Sequence, residues 1–220
     1  MLDSAQQAMS LARTGIADQG ATMMSVRRIV TMLIICRAFL ALALGGAIFG
    51  PAQASKALWS ALRSGEAVAL LRHAEAPGGG DPTGFRLDDC GTQRNLSAAG
   101  RAQAVAIGEL FRANGIAAAL VYSSEWCRCL DTARLLRLGE VIPLEQLNSL
   151  FGNRSAEPER SAALLSWLRR QRTGTPIVLV SHQVNISALT GQFPGSGEMI
   201  IVRIHSDHPL ELLGRIATPS

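Results

Sequence analysis

Two histidines in this sequence follow the ends of apolar runs. His73 stands after Arg72 at the close of A-V-A-L-L (residues 67–71), and His182 stands after Ser181 at the close of I-V-L-V (residues 177–180). Short, continuous apolar runs are the pattern of strands buried on both faces. In open α/β sheets the ligand crevice lies beyond the carboxyl ends of such strands. Both imidazoles are therefore expected to reach one pocket. A neutral imidazole with one ring nitrogen held by a hydrogen bond keeps a lone pair on the other, which makes it a nucleophile or a proton acceptor. A packing histidine can also sit at a strand end, so the surrounding segments decide between the two readings.

The elements that must position the pair follow in regular alternation. After the first strand comes a loop rich in Gly and Asp over residues 77–95. Ser97 reads as a helix N-cap, apolar residues continue at helical spacing through Ile107, Leu110 and Phe111, and Asn114-Gly115 ends the helix. Residues 120–122 predict a second strand, 125–138 a helix, 141–144 a short strand and 159–170 another helix. Pro176 opens the strand that leads to His182, a short helix follows over about 184–190, and residues 198–204 form the expected last strand. Gly191, Pro194, Gly195 and Gly197 break the chain between these last two. This alternation implies an α/β fold, a single three-layer α/β/α domain with a mostly parallel sheet.

Bulk composition narrows the function classes. The chain has 220 residues, 48% of them hydrophobic, enough for one domain with a substantial core. Four of its 21 basic and two of its 17 acidic residues precede residue 55, leaving 17 against 15. No basic stripe interleaved with aromatics remains to neutralise a nucleic-acid backbone, so no nucleic-acid partner is expected.

The N-terminal residues read as an address. From Met24 the sequence runs M-S-V-R-R-I-V-T-M-L-I-I-C-R, then an apolar stretch over residues 38–49, then Pro51 and Ala52-Gln53-Ala54. A basic start, an apolar middle and an A-x-A end make a secretory signal peptide. Residues 1–54 are thus expected to be an extension and leader, with the start at Met24, cleavage after Ala54 and the mature domain at 55–220. Arg37 shortens the apolar stretch below the ~20 residues that a spanning helix needs, so no stable membrane span is expected after cleavage. The expected location is periplasmic or secreted. Export leaves Cys90, Cys127 and Cys129 in an oxidising compartment, where one disulfide is expected. Cys127 and Cys129 lie two apart on a helix and point to different faces, so Cys90 is expected to pair with one of them. Three thiols without a clustered histidine make a poor zinc site, and no metal is expected.

L-L-R-H-A-E at residues 70–75, the segment at residues 95–104, the segment at residues 123–133 and Val178 to His182, taken together, resemble the histidine phosphatase (phosphoglycerate-mutase-like) superfamily. L-L-R-H-A-E at residues 70–75 is similar to its R-H-G/R-H-A signature. Asn95-Leu96-Ser97-Ala98-Ala99-Gly100-Arg101-Ala102-Gln103-Ala104 resembles its L-[ST]-x-x-G-x-x-Q-A helix start. Residues 123–133, with Arg128 and Thr132-Ala133, resemble its S-x-x-x-R-x-x-x-T-A segment, and Val178 to His182 resembles the strand that carries its second histidine. The resemblance implies that His73 attacks phosphorus while Arg72, Arg128 and His182 surround the phosphoryl oxygens, where anionic charge spreads in the transition state. It also implies substrate contacts at Asn95 and Gln183, and neither cofactor nor metal.

Departures from the family pattern concern the proton donor. Relatives place a carboxylic acid either in an L-x-E-x-x-x-G-like loop, where Ser149 stands here, or directly after the second histidine, where Gln183 stands. Glu198 is the leading substitute, followed by Glu145 and Glu75. Without a donor, leaving groups that need little protonation are favoured, such as aryl phosphates, phosphohistidine or anhydrides. The function implied is an exported phosphatase that acts on a small-molecule or glycan phosphomonoester, such as a cell-envelope phosphosugar, and releases inorganic phosphate. The competing reading is a non-catalytic phosphate-binding or envelope interaction protein on the same fold. His205 and His208 carry no motif and are expected at the surface, and Trp126 in the core.

Overall fold

Strands form where the apolar runs are continuous, and their register sets the position of the histidines. In the computed structural model, which describes residues 51–171, 174–206 and 210–219, β1 (Ala67–Arg72) and β4 (Ile177–Ser181) pair in parallel. Val68 lies opposite Ile177 and Arg72 opposite Ser181. The residues that follow each strand therefore emerge side by side at one edge. β2 (Leu120–Ser123) pairs in parallel with the other side of β4, and β3 (Val141–Pro143) with β2. β5 (Met199–Arg203) runs antiparallel to β1, and β6 (Glu211–Ile216) antiparallel to β5. The sheet order is β3-β2-β4-β1-β5-β6.

Side-chain alternation along these strands divides the core between two faces. Ala67, Ala69 and Leu71 of β1 join Val178 and Val180 of β4 under α1 (Pro51–Arg63), α2 (Ala98–Ala113) and α3 (Cys127–Leu136). Val68 and Leu70 join Ile177 and Leu179 under α4 (Glu157–Arg170) and α5 (Gln183–Thr190). Each fully buried Leu or Ile in these layers contributes about 1.5–3 kcal/mol. The result is the expected three-layer α/β/α fold with a mostly parallel sheet.

Several boundaries differ from the sequence reading. The last predicted strand is antiparallel, and β6 beyond it was not expected, because its apolar residues Leu212, Leu213 and Ile216 are interrupted by Gly214 and Arg215. Helix α1 was also unexpected; its first turn contains the Ala54 at which cleavage was placed. The remainder of the expected leader, residues 1–50, lies outside the described residues, as does His208. His205, with no motif around it, pairs with Glu211 at 3.0 Å. Among the described residues no helix is long and apolar enough to cross a membrane.

The cysteine alternatives resolve to one pair. Cys90 is bonded to Cys127, while Cys129 is free and buried. This bond joins the Gly- and Asp-rich loop to the first residue of α3, directly before Arg128.

Candidate active site

Backbone hydrogen bonds bring the two histidines together where β1 and β4 end. The His73 amide donates to the Ser181 carbonyl at 2.9 Å, and the two imidazole centres lie 5.6 Å apart. His73 Nδ1 is 2.7 Å from the Ala74 carbonyl, which can only accept, so Nδ1 carries the proton and Nε2 keeps the lone pair. Burial and the neighbouring guanidiniums push the His73 pKa down to about 3. The imidazole is therefore a free base at any ordinary pH.

His182 is fixed by the same logic. Its Nδ1 accepts from Arg128 Nη2 at 3.4 Å, which leaves Nε2–H to donate to Ser124 Oγ at 2.9 Å. Ser124 in turn donates to Asn148 Oδ1 at 3.3 Å, and the Asn148 amide donates to Glu125 at 2.6 Å. Burial, then repulsion from Arg128 and His73, holds the His182 pKa well below its ordinary value. The free Cys129 lies against this ring, with Sγ 3.5 Å from Nε2, and burial pushes its thiol pKa up to about 12. It is a packing thiol and not a nucleophile.

Arg128 is almost completely buried, and its four Nη hydrogens are all engaged. Nη1 donates to Asp81 Oδ1 at 2.8 Å and to the Arg94 carbonyl at 3.3 Å; Nη2 donates to Asp81 Oδ2 at 3.2 Å and to His182. Asp81 also accepts from the Trp126 indole and the Arg94 amide, each at 3.0 Å. Burial alone would raise the Asp81 carboxyl, but hydrogen bonds from Arg128, Arg94 and Trp126 outweigh it and hold the pKa below its usual range. Trp126 is thus in the core, as expected, and also closes this clamp.

The cavity bounded by these groups has a volume of about 260 Å³. Arg72, His73, Arg94, Arg128, His182 and Gln183 line it, together with the Gly78–Gly80 backbone, Ser149, Phe151 and Val184. Arg72 donates to the Pro194 carbonyl at 2.9 Å, and Arg94 to the carbonyls of Gly80 and Ala76. The Nε–H groups of Arg72 and Arg128 are buried and have no acceptor within the protein. Three guanidiniums with two unsatisfied N–H donors fit an anion, and a phosphoryl group supplies the oxygens that they require. A larger cavity of about 480 Å³ lies at the opposite ends of β1 and β4, beside Glu66, Val68 and Ile177, and holds none of these groups.

Among the sequence candidates, His73, His182, Arg72, Arg128 and Gln183 meet at the cavity. Glu198 does not line it: one carboxylate oxygen accepts from the Gly195 amide at 2.8 Å and the other pairs with Arg215 at 3.1 Å. Asn95 does not line it either, since its amide donates back to the Cys90 and Gln93 carbonyls. Glu75 is engaged with Ser97, and Glu145 borders a separate surface cavity beside Arg160. The sequence reading missed Asp81, Arg94, Ser124 and Asn148. Ser124 opens the S-x-x-x-R-x-x-x-T-A segment and Arg94 directly precedes the Asn95 motif, so each had a local signal; Asp81 and Asn148 bond Arg128 and Glu125 across 47 and 23 residues without one. Among the described residues no cluster of His, Cys, Asp and Glu is arranged to hold a metal ion.

The chain is similar to known proteins in part of its sequence and in its fold. A family model described as histidine phosphatase superfamily (branch 1) matches residues 68–151. No curated protein matches the sequence significantly. Among solved structures, mycobacterial glucosyl-3-phosphoglycerate phosphatase in complex with VO3 is 20% identical, with a TM-score of 0.51 over 67% of this chain and 97% of its own. The product of open reading frame Rv3214 of Mycobacterium tuberculosis is 18% identical, with a TM-score of 0.50 over 67% of this chain and 95% of its own. SixA of Agrobacterium tumefaciens is 25% identical, with a TM-score of 0.47 over 70% of this chain and 99% of its own. At 18–20% identity the likeness to the two mycobacterial structures is one of fold.

Proposed function

We propose, from the premise that the chain belongs to the histidine phosphatase superfamily and is a phosphoric monoester hydrolase, that it works through a phosphohistidine on His73. The observation that carries this reading is the pair of unsatisfied guanidinium N–H groups on Arg72 and Arg128 beside two neutral imidazoles in one cavity. His73 Nε2 attacks phosphorus, the ester P–O bond breaks with its electron pair on the departing oxygen, and water then cleaves the N–P bond to release inorganic phosphate. Arg72, Arg94 and Arg128 stabilise charge on the phosphoryl oxygens, and His182 is held beside them by Ser124 and Arg128.

The leader-like N-terminus and the Cys90–Cys127 bond support action outside the cytoplasm, with the mature chain beginning at Ser55. Location suggests a phosphorylated envelope sugar as a first substrate class to test. Turnover of p-nitrophenyl phosphate by the purified protein, together with acid-labile phosphate on the wild type and none on His73→Ala, is the expected result. Absence of turnover across a panel of phosphoesters, with phosphate binding retained, would replace the enzyme reading with that of a phosphate-binding protein.

A further inference from the structure

A phosphoryl transfer to His73 leaves behind an alkoxide unless something protonates it, and the cavity holds no group able to do so. Among the described residues that line it, the titratable ones are three arginines and two histidines. Both imidazoles are unprotonated at neutral pH, since burial and the arginines lower their pKa values. Asp81 and Glu125 do not line the cavity, and the four hydrogen bonds that Asp81 accepts hold its carboxyl ionised. Glu198, Glu145 and Glu75 do not line the cavity. Ser149 and Gln183, which do, are neutral and do not ionise in this range.

A second, independent observation concerns the mouth. Phe151 lines the cavity with 64% of its surface exposed, and its ring lies against Gly80. The backbone around it is fixed, because the Phe151 amide donates to Ser149 Oγ at 3.2 Å and the Leu150 amide to Asn185 at 3.2 Å. An aromatic face at the entrance of a polar pocket offers a stacking surface to a flat aromatic group. Beside Phe151, Gly79 is open, with no atom within 4 Å of where a Cβ would stand.

We infer that the substrate is an aryl phosphomonoester, a phosphorylated phenol whose ring rests on Phe151 and whose oxygen departs as a phenolate. This deepens the phosphatase reading above and rests on it. It also favours a phenolic over a sugar leaving group. Bond-making is between His73 Nε2 and phosphorus, bond-breaking is between phosphorus and the aryl oxygen, and solvent protonates the phenolate after departure.

The test compares phenyl phosphates of graded leaving-group acidity with cyclohexyl phosphate and a sugar phosphate, using the purified protein. General acid catalysis is worth ~10²–10⁴-fold, so kcat/KM should fall steeply with leaving-group basicity and be about 100-fold or more lower for the alkyl esters. Phe151→Ala should raise KM for phenyl phosphate about three- to tenfold, the worth of an aromatic contact, while inhibition by inorganic phosphate stays unchanged. Alkyl and aryl esters turned over at equal rates, or a Phe151→Ala variant that retains full aryl preference, overturns the inference and leaves the phosphatase reading standing. Failure with every ester sinks the phosphatase reading itself.

Discussion

Arg128 reaches the cavity as half of a buried ion pair, and this constrains what it can do. Both Asp81 oxygens lie on its fork, with side-chain exposures of 8% for Asp81 and 3% for Arg128. Neutralising one partner of such a pair leaves an uncompensated buried charge, which costs about 3–5 kcal/mol. Asp81→Asn also points an amide N–H₂ at donors from Arg128 or Trp126. The variant is therefore expected to be destabilised by about 3 kcal/mol or more and to lose activity. Inorganic phosphate supplies the missing negative charge, so it should raise the melting temperature of Asp81→Asn more than that of the wild type. Equal shifts in thermal melts would show that Asp81 does not balance Arg128. At this scale the sequence was legible where a residue belongs to a local motif, as with Arg72, His73, Arg128 and His182. It failed for Glu198, whose strand-end position says nothing of the salt bridge to Arg215 that takes up its carboxylate. Asp81 was equally unreadable, because its partner lies 47 residues away.

Helix α2 carries the segment between the first strand and Arg128, and it lies close enough to its neighbours to require glycine at two positions. A Cβ on Gly108 would stand 2.2 Å from the Leu136 carbonyl oxygen, and one on Gly100 would stand 2.0 Å from that of Glu75. Gly→Ala in a helix interior ordinarily gains about 1 kcal/mol from propensity. Here the obstacle is backbone, so α2 and the C-terminal end of α3 would have to separate. Gly108→Ala is expected to destabilise by about 1–3 kcal/mol in urea unfolding, the cost of overpacking, instead of stabilising. A gain in stability would mean that the two helices approach less closely than described. Helices of this kind were legible because Ser97 caps α2 as its side chain predicts and the apolar spacing is helical. The antiparallel edge was not: half of β6 is exposed, and its pairing comes from β5 and not from a continuous apolar run of its own.

Across the whole molecule, the Cys90–Cys127 bond connects the loop above the cavity to the start of the helix that bears Arg128, spanning 37 residues. Closing a loop of that length in the unfolded chain is worth about 4 kcal/mol in the chain-entropy description. For a domain of this size each kcal/mol moves the melting temperature by about 2–4 °C, so loss of the bond should lower it by roughly 10 °C. The effect should extend to catalysis. The loop between Cys90 and α2 supplies Gln93, whose side chain accepts from the Cys127 amide at 3.0 Å, and Arg94, whose carbonyl accepts from Arg128. A looser loop therefore loosens the arginine. Cys90→Ser and Cys127→Ser are expected to show the same lower melting temperature and reduced kcat, and a reducing agent should bring the wild type to their level while leaving the variants unchanged. Since such a bond persists in an oxidising compartment and is lost in a reducing one, protein kept in the cytoplasm should behave like the variants until it is oxidised. A wild type whose melting temperature and activity are the same with and without reductant would remove both the staple and the main structural support for export.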